Sequence, residues 1–171
     1  AKQRQATLQQ LTEDGVMELQ KELELPSLVR RIAVISSADA AGYGDFCDQL
    51  KNNRFGFSFQ TQLYPAVMQG DNSAHSIIEA LHSIAEQEEE WDVVVIIRGG
   101  GATTDLQCFD DYVLASHCAQ FPLPIVAGIG HTRDVSVVDM VVHTSVKTPT
   151  AAAEWLIERV AEQVERVNGL L

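Results

Sequence analysis

The sequence predicts an α/β domain with a doubly wound, mostly parallel sheet, helices on both of its faces and a long C-terminal helix. Two observations predict this fold. Short aliphatic runs, typical of strands buried on both faces, alternate along the chain with longer stretches of helical periodicity. Loops rich in glycine and polar residues follow these runs, as in Rossmann-like and flavodoxin-like sheets. We expect the strand order 2-1-3-4.

The composition is that of one globular domain in a reducing compartment. The chain has 171 residues and is 46% hydrophobic, which is enough to bury a core. Its aliphatic runs are too short to cross a bilayer. Its three cysteines are odd in number and lack metal-ligand spacing, so we expect reduced thiols. These features predict a cytoplasmic protein without a membrane partner.

The net charge of −12 argues against a protein that grips nucleic acid over its whole surface. Nonspecific affinity for DNA comes mainly from Lys and Arg side chains that neutralise phosphates. The ends of the sequence, however, suggest a fragment of something longer. In that case basic surface would lie outside it.

The first half of the chain should contain three helices and two strands. Apolar periodicity indicates a helix over 2–20 with a break at Gly15, within an N-terminal helical lead-in of residues 1–30. A buried strand follows at 31–36, and alternating apolar and polar residues predict a strand nearer the sheet edge at 57–64. The other two helices are expected at about 45–53 and 73–88.

The second half of the domain should alternate in the same way. Five consecutive aliphatic residues at 93–97 predict the central strand. A helix over 105–118 and a strand over 122–129 follow. We then expect a short helix at 134–141 and a brief strand at 143–146.

A long final helix is predicted over 149–171, after an α/β catalytic domain of residues 31–148. Thr148 and Pro149 supply its N-cap and its first helical residue. Its apolar positions are spaced alternately by four and three residues, the pattern of a coiled-coil seam. They are Ala153, Ile157, Val160, Val164, Val167 and Leu171. This pattern favours the truncated start of a longer helical arm, and an amphipathic helix docked on the sheet is the alternative.

Arg98 stands where the central strand ends, and three glycines follow it. Glycine lets the backbone turn tightly and approach a ligand, and arginine binds phosphate through a bidentate, permanently charged group. Arg98 and the backbone amides of Gly99, Gly100 and Gly101 therefore predict a phosphate site. The alternative is a strand-to-helix turn in which Arg98 only caps the helix or is solvated.

Three more polar side chains should converge with Arg98 beyond the strand ends: Asp45, His131 and Asp134. His131 directly follows a strand and a glycine, and Asp134 is near enough to orient its imidazole. A histidine can take a proton from water or give one to a leaving oxygen. We interpret these four residues as catalytic. The alternatives are a structural His131 and an Asp45 that caps the helix it opens.

Three further residues, Asp105, Asp139 and Thr148, are expected to support the site. Asp105 should lie near a helix N-terminus, where a carboxylate is electrostatically favoured. The sequence contains no specific metal motif and no nucleotide-binding glycine fingerprint. Aspartates alone could hold Mg²⁺, and its ligands would then be Asp45 and Asp134.

Five segments occur in an order and spacing that resembles the large subunit of bacterial exodeoxyribonuclease VII. They are RIAVISSADAAGYGDF, YPAVMQG, DVVVIIRGGGATTDLQCFDD, PIVAGIGHTRD and KTPTAAAE. The resemblance covers roughly residues 2–168 and implies the catalytic domain alone. In that family the domain is accompanied by an OB-fold that binds single-stranded DNA and by a long C-terminal helical arm.

The resemblance implies hydrolysis of single-stranded DNA from either end to oligonucleotides with 5′-phosphates. It also implies several copies of a small subunit as partners, recruited through the C-terminal helix. The family's functional residues fall on Asp45, Arg98, His131 and Asp134, the same four groups that the residues alone indicate. In the implied mechanism Arg98 binds the phosphate, His131 transfers protons, and Asp45 positions water or a metal.

Five positions depart from the family pattern: Ala102, Thr104, Asp110, Thr132 and Ser145. The family has a glutamate in place of Thr104 and often an arginine in place of Ser145, so a carboxylate and one phosphate contact are missing here. Reduced activity is one expectation. Two other interpretations stay open, a non-catalytic phosphate- or nucleotide-binding domain and an assembly scaffold.

Overall fold

The chain forms a five-stranded, all-parallel sheet. The computed structural model describes residues 2–38, 41–68, 70–98, 107–130 and 135–169. The strands are β1 (Arg31–Ser36), β2 (Gln60–Pro65), β3 (Val93–Ile97), β4 (Ile125–Gly128) and β5 (Thr144–Val146). Their order is β2-β1-β3-β4-β5. The predicted order 2-1-3-4 and the central place of β3 are therefore confirmed.

Six α-helices surround the sheet in the described part of the chain. They are α1 (Lys2–Asp14), α2 (Ala41–Lys51), α3 (Ser73–Ala85), α4 (Tyr112–Ala119), α5 (Val137–Val141) and α6 (Pro149–Gly169). Short 3₁₀ turns lie at Gln20–Glu22, Glu88–Glu90 and Gln107–Asp110. Gly15, with φ of +74°, ends α1 as predicted. None of the described helices is long and apolar enough to cross a membrane.

The sheet is covered on both faces, which explains the unbroken aliphatic runs of its central strands. Ile35 and Ile96 pack in the layer formed by α1, α3, α4 and α5. Val34 and Val95, one residue earlier in each strand, pack in the opposite layer, formed by α2 and α6. All four side chains are fully buried. Burial of each stabilises the fold by about 1.5–3 kcal/mol.

The final helix α6 is docked on the sheet along its first half. Ala153, Ile157 and Val160 are buried in the layer that α6 shares with α2, and Val164 is partly buried there. Val167, the next position of the predicted seam, is 58% exposed. The docked amphipathic helix is therefore the right interpretation as far as Val164, and the apolar stripe continues beyond the docked part.

The start of α2 differs from the prediction. The helix begins at Ala41, not at Asp45, so Asp45 lies inside the helix and does not cap it. Gly42, Phe46 and Leu50 are all buried and are spaced at the helical repeat. Burial of this face outweighs the low helix propensity of the glycine.

The start of β2 also differs, because Asn53 holds the backbone before it in a turn. The Asn53 side chain accepts a hydrogen bond from the Phe57 N–H (2.9 Å) and donates one to the Phe57 carbonyl (2.8 Å). With these groups occupied, the strand begins at Gln60 and not at residue 57. Its place at the sheet edge is as predicted.

Gln20 fastens the lead-in segment to the sheet. Its fully buried amide nitrogen donates to the carbonyls of Phe121 (3.0 Å) and Leu123 (2.9 Å). Its oxygen accepts from the backbone N–H groups of Ile125 (2.8 Å) and His143 (3.1 Å). One side chain thereby joins the 3₁₀ turn after α1 to the starts of β4 and β5.

Candidate functional site

Arg98 lies directly after the central strand β3, at the carboxyl edge of the sheet. The residue is only 6% exposed. Its backbone N–H donates to the Gly128 carbonyl at 3.1 Å, which joins the ends of β3 and β4. A guanidinium cannot shed its charge, so burial to this degree requires anionic or hydrogen-bonding groups around it. The strand end therefore holds a fixed positive charge in a largely dehydrated position.

Two glycines bring the backbone of three chain segments together beside Arg98. A Cβ on Gly128 would lie 2.8 Å from the Thr148 carbonyl oxygen, so β4 contacts the start of α6 there. Gly130 has φ of +88°, and a Cβ on it would lie 3.5 Å from the Arg98 oxygen and 3.7 Å from the Lys147 oxygen. The position of these two glycines at a strand end is the one sequence signal of this close backbone approach.

Several predicted site residues lie outside the described part of the chain. They are Gly99, Gly100, Gly101, Asp105, His131 and Asp134. The described backbone reaches Gly130, immediately before His131, and Gly130 lies against Arg98. The two loops that carry Arg98 and His131 thus start from the same place at the sheet edge. The catalytic grouping of these side chains stays a prediction.

Asp45 lies in α2, which follows β1 and begins at the same carboxyl edge of the sheet. The residue is exposed. Within the described residues its carboxylate forms no hydrogen bond or ion pair. An unpaired, solvated carboxylate can accept a proton from water or coordinate a cation.

Asp139 organises the segment that follows the His131 loop. It is 6% exposed, and its Oδ2 accepts hydrogen bonds from the Ser136 N–H (3.1 Å) and Oγ (2.8 Å) in a capping box that starts α5. Its Oδ1 accepts from the Ser145 Oγ at 2.6 Å, which ties α5 to β5. Ser145, one of the five positions named as departures in the sequence, makes this structural bond.

Thr148 caps α6 as predicted. Its Oγ1 accepts a hydrogen bond from the Ala151 N–H at 3.0 Å. Because the Thr148 carbonyl also contacts Gly128, this cap fixes the first turn of α6 against the end of β4. Thr148 thus joins α6 to β4, whereas Asp139 joins α5 to β5, and their supporting role at the site stays a prediction.

The described residues contain no cluster of three or more histidine, cysteine or acidic side chains placed to hold a metal ion. The predicted Mg²⁺ ligand Asp134 lies outside them. Cys118 is buried in α4, and burial raises the pKa of its thiol to about 12. It is therefore protonated at neutral pH and does not supply a nucleophile.

Comparison with known proteins places this chain beside one family. The family model described as "Exonuclease VII, large subunit" matches residues 16–171. Similar curated proteins are named exodeoxyribonuclease 7 large subunit. That of Nostoc sp. is 38% identical over 152 residues, which cover 89% of this chain and 36% of that protein. That of Lactobacillus helveticus is 34% identical over 160 residues, covering 94% and 35%. The chain thus spans about a third of the length of the relatives it matches.

Proposed function

The chain belongs to the exonuclease VII large-subunit family, and from this premise we propose that it is the part of the subunit that cleaves DNA. The proposed reaction is hydrolysis of phosphodiester bonds of single-stranded DNA, from either end, to oligonucleotides with 5′-phosphates. The observation that carries this proposal is the buried guanidinium of Arg98 at the end of the central strand, next to a run of glycines. A dehydrated positive charge suits a phosphate that gains negative charge during the reaction, and the glycines that follow Arg98 in the sequence let the backbone approach such a group.

In the proposed mechanism, Arg98 and the amides of Gly99–Gly101 hold the scissile phosphate and stabilise charge on its non-bridging oxygens. His131 takes a proton from the attacking water or gives one to the leaving oxygen, and Asp134 orients its imidazole. Asp45 positions the water. If the reaction uses Mg²⁺, the carboxylates of Asp45 and Asp134 would hold it, since carboxylate oxygens are the ligands this ion prefers.

The proposed partner is the family's small subunit, in several copies, bound through the part of α6 beyond its docked half. Val167 is exposed and continues the apolar stripe that is buried as far as Val160. An exposed apolar stripe on a helix is the surface that a second helix covers. The test is a pull-down of the small subunit with a Val167→Asp subunit, and undiminished capture would contradict this assignment.

The test of activity uses the full-length large subunit assembled with its small subunit and an end-labelled single-stranded oligonucleotide. Cleavage is measured in EDTA and in Mg²⁺, which decides the part played by the metal. Arg98→Ala should lower kcat by about 10²–10³-fold, the loss typical of removing one donor to a developing oxyanion. Arg54→Ala, which removes an exposed arginine in the turn before β2, is the matched control and should cleave like the wild type.

His131→Ala separates a nuclease from a domain that only binds phosphate. In a nuclease this variant keeps its affinity for the oligonucleotide and loses cleavage. An assembled wild-type complex that binds DNA and cleaves it in neither buffer would contradict the proposal and would favour a binding domain. In that case the substituted positions Thr104, Thr132 and Ser145 become the first candidates for the lost activity.

A further inference from the structure

We propose that the N-terminal turns of α2 and α6 form a second site for a backbone phosphodiester of the DNA strand, with the hydroxyl of Ser36 at its floor. The inference rests on the proposed function and deepens it. Arg98 would hold the scissile linkage, and the α2–α6 site would hold another linkage of the same strand. The two sites can be separated by experiment because Ser36 and Lys147 have no part in the proposed catalytic group.

The first observation is a buried hydroxyl without a partner. Ser36 is the last residue of β1 and is fully buried. Its Oγ has no hydrogen-bond partner among the residues that the structure describes. A hydroxyl withdrawn from water without a bond destabilises the fold, and buried polar groups are otherwise almost always paired. Its retention at a strand end is explained if a bound group supplies the missing bond.

The second observation is the direction of that hydroxyl. Ile32 and Val34, two and four residues before Ser36, pack in the layer of α2 and α6. Side chains two residues apart in a strand point to the same face, so Ser36 points into this layer too. It does so at the carboxyl end of β1, where α2 and α6 both begin. The hydroxyl therefore points toward the first turns of the two helices.

These first turns attract anions. The helices α2 and α6 have 11 and 21 residues and pack against each other, and both begin at the carboxyl edge of the sheet. The first-turn N–H groups of α2 have no acceptor within the helix, and the helix dipoles add partial positive charge. In α6, Pro149 has no N–H and the Ala151 N–H donates to the Thr148 Oγ1, so the Thr150 N–H is the group that this helix offers. Lys147, exposed and two residues before α6, adds a full charge. The site thus combines two helix N-termini, one cation and one orphaned hydroxyl.

The groove between the helices also places Thr150 near Asp45. Gln49 in α2 donates a hydrogen bond to Glu154 in α6. One helical turn nearer the N-termini on the same faces are Asp45 and Thr150, both exposed. The Thr150 hydroxyl, which lies 3.2 Å from the Thr148 hydroxyl, can donate a second hydrogen bond to the ligand by turning its proton from Thr148. Asp45 opposes negative charge, so the site favours a phosphodiester with one negative charge over inorganic phosphate with up to two.

The test is a steady-state kinetic scan with the full-length subunit and its small subunit. The substrates are single-stranded oligonucleotides that each carry one uncharged methylphosphonate linkage at a different position. We expect KM of the wild type to rise about tenfold when the linkage at the α2–α6 site is neutral, the loss typical of bonds to a charged group. Ser36→Ala and Lys147→Ala should raise KM for the unmodified strand and leave kcat nearly unchanged. In these two variants, neutralising the linkage at the α2–α6 site should cause no further rise in KM.

Controls distinguish binding from folding. Lys51→Ala removes an exposed lysine at the opposite end of α2. The dependence of KM on the position of the neutral linkage should be the same in this variant as in the wild type. Ser36→Ala should keep or raise the melting temperature, because it removes an unpaired buried hydroxyl. A Ser36→Ala subunit that melts earlier and shows an unaltered linkage pattern would overturn the inference and make the hydroxyl structural.

The remaining outcomes separate this inference from the proposed function. If Arg98→Ala abolishes cleavage while Ser36→Ala and Lys147→Ala keep the wild-type KM and scan, the second site is wrong and the nuclease stands. If Arg98→Ala cleaves normally, the proposed function fails. If inorganic phosphate competes strongly with the oligonucleotide in the wild type and not in Ser36→Ala, the site binds free phosphate, and its assignment to a phosphodiester is wrong.

Discussion

Gly128 shows how one absent side chain sets the geometry at the sheet edge. A Cβ there would lie 2.8 Å from the carbonyl oxygen of Thr148 and 3.3 Å from the Ile97 side chain. The carbonyl belongs to the capped first turn of α6, which cannot move aside as a flexible side chain would. We expect Gly128→Ala to lower the free energy of unfolding by about 1–3 kcal/mol, the usual effect of overpacking. Urea denaturation measures this change.

Substitution of a glycine in α2 should change the free energy of unfolding in the opposite direction. Gly44 is helical, and a Cβ on it would have no neighbour within 4 Å. Gly44→Ala should therefore stabilise the protein by about 0.5–1 kcal/mol through helix propensity alone. Equal effects of the two substitutions would contradict the close contact between β4 and α6.

The carboxylate of Asp139 is another single group that should contribute more to the stability of the fold than to catalysis. It accepts three hydrogen bonds from Ser136 and Ser145. Asp139→Ala would leave the buried N–H and hydroxyl of Ser136 without this acceptor and would break the bond to Ser145, and we expect a loss of about 2–4 kcal/mol in the free energy of unfolding. Thermal unfolding followed by circular dichroism checks this. Exposed Asp48→Ala in α2 is the control and should change stability by less than about 0.5 kcal/mol.

Among the elements, the 3₁₀ turn at Gln20–Glu22 depends on one side chain. Gln20→Ala removes four hydrogen bonds to backbone groups around β4 and β5. We expect a loss of about 2–4 kcal/mol, because several buried groups are left unpaired. Hydrogen exchange should show the loss at the Ile125 and His143 amides first.

The exposed Gln9 in α1 provides the control for Gln20. Its amide bonds only Glu13 on the same helix at 3.4 Å. Gln9→Ala should leave both stability and exchange nearly unchanged. Exchange at Ile125 that stays slow in Gln20→Ala would show that the backbone ladder holds β4 without this residue.

For the whole molecule, His143 predicts how stability depends on pH. The half-buried imidazole has a lowered pKa, mainly because burial disfavours its charged form. The unfolded chain therefore takes up this proton at a higher pH than the folded chain. The stability due to neutral His143 is complete above pH 6.5, the ordinary value, and is lost as pH falls below it.

We expect His143→Gln to flatten the dependence of the unfolding free energy on pH below 6.5. Denaturant titrations at several pH values measure this slope. His75→Gln is the control, because the His75 side chain is 75% exposed on α3 and lacks the burial that shifts His143. An unaltered slope in His143→Gln would assign the acid sensitivity to other groups.

The overall architecture could be predicted from the sequence because its central strands are buried on both faces. Runs such as Val93–Ile97 identify a strand whatever its register, and the alternation with helices then fixes the class. The starts of α2 and β2 were misplaced because tertiary contacts decided them. Buried Phe46 extends a helix over glycines, and Asn53 withholds the Phe57 backbone from the sheet.

The site could be predicted only where local sequence carries the signal. Arg98 followed by glycines after a strand predicts a phosphate loop from local sequence alone, and its position at the end of β3 agrees with that prediction without testing it. The orphaned hydroxyl of Ser36 could not be found this way, because a serine at the end of a buried strand has no distinctive pattern. Its burial depends on α6, which begins more than one hundred residues later. The role of Gln20 could not be predicted either, since its hydrogen-bond partners are also more than one hundred residues away along the chain.

The bonds of Gln20 also affect how the chain folds as it is synthesised. Its last partner, His143, lies 123 residues further on, so the lead-in segment cannot be fastened while the first strands emerge from the ribosome. Such long-range closure slows folding and leaves early strands exposed to other chains. The bonds that Gln20 makes can therefore be completed only after the start of β5 has been translated.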